Sequence, residues 1–150
     1  MALNESQLAI LKTEMDTDPK SLGYAGENDE AVAALINEVG LSVPPETLPN
    51  TSVSVIDILD AIDGTEVDDV SVNGMQFFLL RLQIAGGVVD ISAGSPIIGQ
   101  VANIFTVVSA PNSRTALNAL TTREASRAEI LFGSGVSVSY MDVGYARQVV

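Results

Sequence analysis

The chain has no cysteine and no histidine, and only 7 of its 150 residues are lysine or arginine. Without cysteine and histidine it cannot form a disulfide, a thiolate nucleophile, a serine–histidine pair or a histidine/cysteine zinc site. The 19 acids give a net charge of −12, which argues against a nucleic-acid-binding surface built on bulk positive charge. Its glycines match neither a dinucleotide-binding motif nor a P-loop. We therefore expect no enzyme, no cofactor and no sequence-specific nucleic-acid binding.

The apolar content is high enough for one sizeable core. Hydrophobic residues make up 47% of the chain, and the mean hydropathy is +0.32. We expect a single domain over residues 1–150. The most apolar stretch, residues 75–100, is interrupted by Arg81, Asp90 and several glycines, so it lacks the roughly 20 clean apolar residues of a membrane span. The N-terminus lacks the basic start and apolar core of a signal peptide. Neither export nor membrane insertion is expected.

Apolar residues at helical spacing, with capping residues before them and glycine or proline after them, predict a mostly α fold. The expected architecture is a compact bundle of six to eight short helices. A capping box is expected at Asn4, where Gln7 follows three positions later. The other residues expected to begin helices, as N-caps or just before an N1 proline, are Asn28, Ser54, Ser95, Asn112 or Ser113, Thr121 and Ser139.

The segment 65–90 has two interpretations. Leu80, Leu82 and Ile84 alternate with polar residues as in a strand, yet the length of the apolar run also suits a buried helix. Because the flanking segments are helical in character, we favour a helix and keep a short β segment in this region as the alternative.

An acidic cluster precedes the apolar run, and oxygen ligands of this kind suit calcium or magnesium. The spacing fails the EF-hand pattern, because Leu59 falls at the first ligand position when Gly64 is taken as the sixth. We therefore expect solvated acids and no metal site. The residues of this cluster are Asp57, Asp60, Asp63, Glu66, Asp68 and Asp69.

Charge is unevenly placed along the chain. Residues 1–75 carry 15 acids and two lysines, a net charge of −13, whereas residues 76–150 carry four acids and five arginines, a net charge of +1. Opposite charges on two faces can steer head-to-tail stacking or ring formation. The simpler interpretation is that an acidic N-terminal half keeps the protein in solution.

The arginines are the candidates for an assembly interface. Arg123 and Arg127 are four positions apart, so on one predicted helix they share a face that could dock an acidic neighbour. The alternative is a solvated helix with local ion pairs. Tyr140 and Tyr145 suit interface anchors, although a core role fits them equally well. The predicted assembly residues are Arg114, Arg123, Arg127, Tyr140, Tyr145 and Arg147.

Both ends of the chain carry a family resemblance. Residues 122–135, TREASRAEILFGSG, and 139–143, SYMDV, resemble the C-terminal signature of small structural-module proteins of tailed bacteriophages. In that signature a TRAExLF-Gly-x-Gly run precedes an S-Y-x-D-V segment. This chain departs from it by the insertion of Ser126 and Arg127. The start is also similar, at Ala2-Leu3, Gln7, Leu11-Lys12 and Asp18-Pro19, so the resemblance covers about half the chain.

The resemblance implies a non-enzymatic virion protein that is made in the cytoplasm of a bacterial host. A small helical protein of this kind looks most like a head–tail connector or adaptor. Its implied partners are other copies of itself in a ring at the portal vertex, together with portal and neck or tail proteins. A capsid decoration protein or a tail-associated protein is the alternative within this class. From another class, the alternative is a small ligand-binding module or an enzyme.

Overall fold

The computed structural model describes residues 2–149, and this part of the chain contains eight α-helices, one 3-10 turn and four short strands. The mostly α fold predicted from the sequence is therefore confirmed. The helices are α1 (Glu5–Thr17), α2 (Asp29–Asn37), α3 (Val55–Asp60), α4 (Val72–Ile84), α5 (Pro96–Ile104), α6 (Pro111–Ala119), α7 (Arg127–Phe132) and α8 (Tyr140–Gln148). The strands are β1 (Thr47–Pro49), β2 (Ser52–Ser54), β3 (Val88–Asp90) and β4 (Thr122–Glu124), and the 3-10 turn spans Val67–Asp69.

The chain forms two compact units. Unit 1 is built from both ends of the described chain, residues 2–48 and 124–149, and unit 2 is the continuous segment 49–123. Strands β1 and β4 contain the two points at which the chain passes from one unit to the other. That these units unfold together as one domain stays a prediction.

The division into units redistributes the charge seen along the sequence. Unit 1 contains twelve acids and four bases, and unit 2 contains seven acids and three bases. Both units are therefore net acidic, and the difference between the two sequence halves does not become an acidic unit and a basic unit.

Unit 1 is organised around helices from both ends of the chain. Leu11 of α1, Val32 and Ile36 of α2 and Val143 of α8 are fully buried. The capping box at Asn4 is present: its side chain accepts from the Gln7 amide, and the Gln7 side chain accepts from the Asn4 amide. Such reciprocal bonds satisfy amides that the first helical turn leaves without partners. The remaining buried apolar residues of this core are Leu3, Tyr24, Ala33, Ala128, Val138 and Ala146.

Unit 2 has its own core, centred on α4. Phe78 is fully buried and packs edge-to-face against Phe105 with ring centroids 5.5 Å apart. Strands β2 and β3 pair antiparallel, with Val53 opposite Val89. The segment 65–90 thus contains the predicted helix and also a short strand. The other buried apolar residues of the unit 2 core are Ile58, Val70, Met75, Leu82, Ile91, Ile97, Ile104, Ala110 and Leu117.

Several predicted helix boundaries are wrong. The helix expected from Thr121 begins at Arg127, with Ser126 as its N-cap and a capping box to Glu129. The pairs Thr121/Glu124 and Ser126/Glu129 both have the spacing of a capping box, but residues Thr122–Glu124 are extended in β4. Helix α6 begins at Pro111, one residue before the earlier of the two predicted starts. Gly40 after the apolar residues of α2 predicts that this helix reaches position 39, but the helix ends at Asn37 and the backbone is extended at Glu38.

Candidate assembly surfaces and an apolar cavity

Arg127 is the centre of an ion-pair network inside unit 1. Its Nε and Nη2 each lie 2.8 Å from one carboxylate oxygen of Glu14. Its Nη1 lies 2.8 and 3.1 Å from the two oxygens of Glu46, which also pairs with Lys20. The side chain of Arg127 is only 13% exposed and that of Glu14 only 4%. Bidentate contacts of this kind are the strong form of the arginine–carboxylate hydrogen bond.

The electrostatics of the network agree with its geometry. Hydrogen bonding to Glu14, reinforced by both carboxylate charges, raises the pKa of Arg127 above its ordinary value despite burial. Burial and the neighbouring Glu14 carboxylate raise the pKa of Tyr24, whose hydroxyl donates to Glu14 at 3.3 Å. Arg127 is thus bound by carboxylates of its own unit, and these bonds stabilise the structure of unit 1.

The other residues predicted for the interface are scattered. Arg123 lies in β4 while Arg127 opens α7, so the expected shared helical face of these two arginines is not formed. Arg147 is half-exposed and donates to the Asp29 carboxylate and the Glu27 carbonyl. Tyr140 and Tyr145 are both more than half exposed on α8, beside an equally exposed Met141. Arg114 lies in unit 2, where it lines a cavity.

Helix α4 carries an exposed apolar surface that the interface prediction missed. Phe77 is 51% exposed, Leu80 50% and Ile84 75%, and their spacing of three and four residues places them on one face. Arg81, on the same helix, lies with its guanidinium 5.2 Å from the Phe77 ring centroid, a cation–π distance. We call these four residues the α4 face. The sequence signal was the length of the apolar run, which exceeds what one buried helical stripe can cover.

Helix α3 exposes a second surface, on which apolar side chains lie beside acidic ones. Ile56 and Leu59 are exposed, and Asp57 and Asp60 beside them are exposed too. Asp57 also takes part in the cap of α3, where its carboxylate accepts from the Ser54 hydroxyl. We call these four helical residues the α3 face. It presents carboxylates where the α4 face presents an arginine.

Glu66, another acid of the cluster, stabilises the start of helix α6. Helix α6 has an alanine at its N-cap and gains no side-chain cap from it. Instead, the carboxylate of Glu66 accepts from the amides of Asn112 and Ser113 and from the Ser113 hydroxyl. Burial alone would raise the pKa of Glu66, but these hydrogen bonds hold it below its usual value. Across residues 2–149, no three acids come together as a metal site.

An apolar cavity of about 70 Å³ lies within unit 2. Isoleucines, valines and leucines from β2, α3, α5, α6 and the residue that follows β3 form most of its lining, and Arg114 and Asn118 of α6 are among its polar lining residues. A shallower groove shares Ile91, Ile98 and Thr121 with this lining. A concave apolar site with a few polar groups is the usual form of a small-molecule site.

Comparisons with known proteins add no identity. No protein family, curated protein or solved structure matches the chain. None of the helices between residues 2 and 149 is both long and apolar enough to span a membrane.

Proposed function

We propose that this protein is a non-enzymatic structural component of a tailed-phage particle and that it works by binding other copies of itself. The observation that carries the proposal is the α4 face, which exposes three large apolar side chains and an arginine on one helix. Exposed clusters of apolar residues mark interaction surfaces more often than lone ones do. The phage resemblance at both ends of the sequence supplies the setting.

The proposed occupant of the α4 face is the α3 face of a neighbouring copy. Both surfaces are apolar, and their charges are opposite, since Arg81 would meet Asp57 and Asp60. Arg81 has no carboxylate within ion-pair distance among residues 2–149, so it is available to a neighbour. A contact between two different patches repeats head to tail and closes into a ring when the rotation permits. A ring of this kind fits a head–tail connector or adaptor at the portal vertex.

A second contact surface is proposed on α8. Tyr140 and Tyr145 are exposed, and aromatic residues are enriched in interface cores. They would contact portal and neck or tail proteins in the particle. Arg127 is excluded from this role because its guanidinium is held inside unit 1 by two carboxylates.

Size-exclusion chromatography with light scattering tests self-assembly, with negative-stain images of the largest species. The wild-type chain is expected to form oligomers, and Leu80→Asp to be monomeric, because it places a carboxylate in the apolar contact. Val108→Asp is the matched control, since Val108 is also exposed in unit 2 but lies outside both faces. Equal masses for wild type and Leu80→Asp would contradict the proposed surface.

A charge swap tests the proposed pairing itself. Arg81→Glu should weaken the oligomer, and Asp60→Arg should weaken it as well, because each puts like charges opposite each other. Combining the two changes should restore assembly. Failure of the double variant to recover, while both single variants fold normally, would rule out this pairing.

The particle-level proposal is tested by quantitative mass spectrometry of purified phage particles. A connector is expected in about a dozen copies or fewer per particle, whereas a decoration protein covers the shell in far larger numbers. A high copy number would favour the decoration alternative, and absence of the protein from particles would overturn the virion assignment.

A further inference from the structure

The cavity in unit 2 combines an apolar interior with two donor groups on one helix. Ile58, Ile97, Val101 and Leu117 contribute aliphatic walls. Its volume of about 70 Å³ is several times the roughly 10–15 Å³ that a single water needs. Water in such an aliphatic space finds few hydrogen-bond partners, so an apolar ligand replaces it favourably.

Arg114 is the charged group of this cavity. Its side chain is half-buried, and its one hydrogen bond to the described residues is a long one, 3.4 Å from Nη1 to the Phe105 carbonyl oxygen. No carboxylate within residues 2–149 lies within ion-pair distance of it. A guanidinium carries five N–H donors, so most of its donor capacity is unused by the described protein.

The cations of unit 1 differ from Arg114 in having carboxylate partners. Lys12, Lys20, Arg127 and Arg147 all pair with carboxylates of the same unit. Arg114 is therefore set apart from the cations of unit 1 both by its missing carboxylate and by its place at an apolar cavity. Asn118, one helical turn further along α6, adds a side-chain amide to the lining.

We propose that this cavity binds a short aliphatic carboxylate, with the carboxylate on Arg114 and Asn118 and the hydrocarbon chain among the isoleucine, valine and leucine side chains. Arginine suits the role because its planar donors match the two oxygens of a carboxylate. The volume admits a chain of a few carbons, and the adjoining groove along Ile91 and Ile98 gives a somewhat longer chain a way out. This binding does not depend on the proposed ring or on a virion setting.

Titration of the full-length protein with sodium hexanoate tests the site, with methyl NMR shifts of the cavity residues and calorimetry as readouts. The expected result is saturable binding with a Kd of about 1 mM, the range that a ligand of this size reaches. Shifts should be confined to methyl groups such as those of Ile97, Ile98 and Leu117. Affinity should rise about fourfold for each added methylene until the cavity is filled, when butyrate, hexanoate and octanoate are compared.

Two variants and one neutral ligand separate carboxylate recognition from simple filling of an apolar space. Arg114→Met should weaken hexanoate binding at least about tenfold, because a charge-assisted bond is lost, and Arg114→Lys should restore part of it. Ala102→Leu narrows the cavity from an exposed lining position and should weaken binding of every chain length. Lys12→Met is the control, because it removes a cation of unit 1 that lies outside the cavity lining and both proposed faces, and it should bind hexanoate like wild type.

The outcomes that overturn the proposal are distinct from those that would overturn the ring. Absence of saturable shifts would exclude a ligand site of this chemistry. Equal binding of hexanol and hexanoate, with Arg114→Met unaffected, would reduce the site to an apolar void without carboxylate recognition. Shifts of the same size at residues outside the lining would show non-specific detergent-like binding and would also overturn it.

Discussion

Replacing Arg127 with methionine should destabilise the protein strongly. Methionine keeps most of the aliphatic volume of the side chain but removes the guanidinium. The Glu14 carboxylate, which is almost fully buried, would retain only the 3.3 Å contact from the Tyr24 hydroxyl among its side-chain hydrogen bonds to described residues. Glu46 would keep Lys20 at 3.2 Å. The cost therefore falls mainly on Glu14.

The size of the loss follows from the burial of the pair. Removing one partner of a buried ion pair costs about 3–5 kcal/mol, because the other charge stays buried without compensation. Arg127 retains some exposure and Glu46 retains a partner, so we expect the lower end, about 3 kcal/mol. For a chain of this length that corresponds to a fall in Tm of about 6–12 °C.

Urea unfolding followed by circular dichroism measures the loss, with Arg147→Met as the control. Arg147 also pairs with a carboxylate, but its side chain is 43% exposed, and exposed pairs contribute about 1 kcal/mol or less. Adding Glu14→Gln to Arg127→Met should recover part of the loss, because the buried charge is then removed. Equal losses for Arg127→Met and Arg147→Met would refute the reasoning.

Three further predictions concern stability. Burial alone would raise the pKa of Asp142, but hydrogen bonds from Ser139 and Leu3 hold it below its usual value. The resulting stabilisation is present above about pH 4 and is lost as the pH falls through the lower pKa of the folded state. Asp142→Asn should therefore flatten the acid limb of a curve of unfolding free energy against pH. The Gln100 Oε1 is buried without a hydrogen-bond partner among the described residues, and Gln100→Met should therefore raise the unfolding free energy by about 1 kcal/mol in the same urea assay. If the two units form one cooperative domain, the calorimetric and van't Hoff enthalpies of unfolding should agree; two resolved transitions would contradict the single-domain prediction.

Local signals in the sequence predicted much of the helical framework. The capping boxes at Asn4 and Ser139 depend on residues only three positions apart, so their bonds form wherever a helix starts there. Pro96 is likewise found at the first turn of its helix, as its fixed φ favours. In such cases the sequence contains both partners of the interaction within one turn.

Interactions between distant residues account for what the sequence missed. Arg127 finds Glu14 and Glu46 at separations of 113 and 81 residues, and Glu66 caps a helix whose Ser113 is 47 positions away. No local pattern marks such partners. The same limit explains the error at α7, where two capping signals with identical spacing compete and extension of the chain at β4 decides between them.

The insertion of unit 2 between the two segments of unit 1 has a consequence for synthesis. All 75 residues of unit 2 are synthesised before residues 124–149, and ribosomes add about 5–20 residues per second. Unit 2 can thus start to fold while Glu14 and Glu46 still lack Arg127. On a polysome, nascent chains would then display the α4 face before unit 1 is complete, and neighbouring chains could meet through it at the moment of translation.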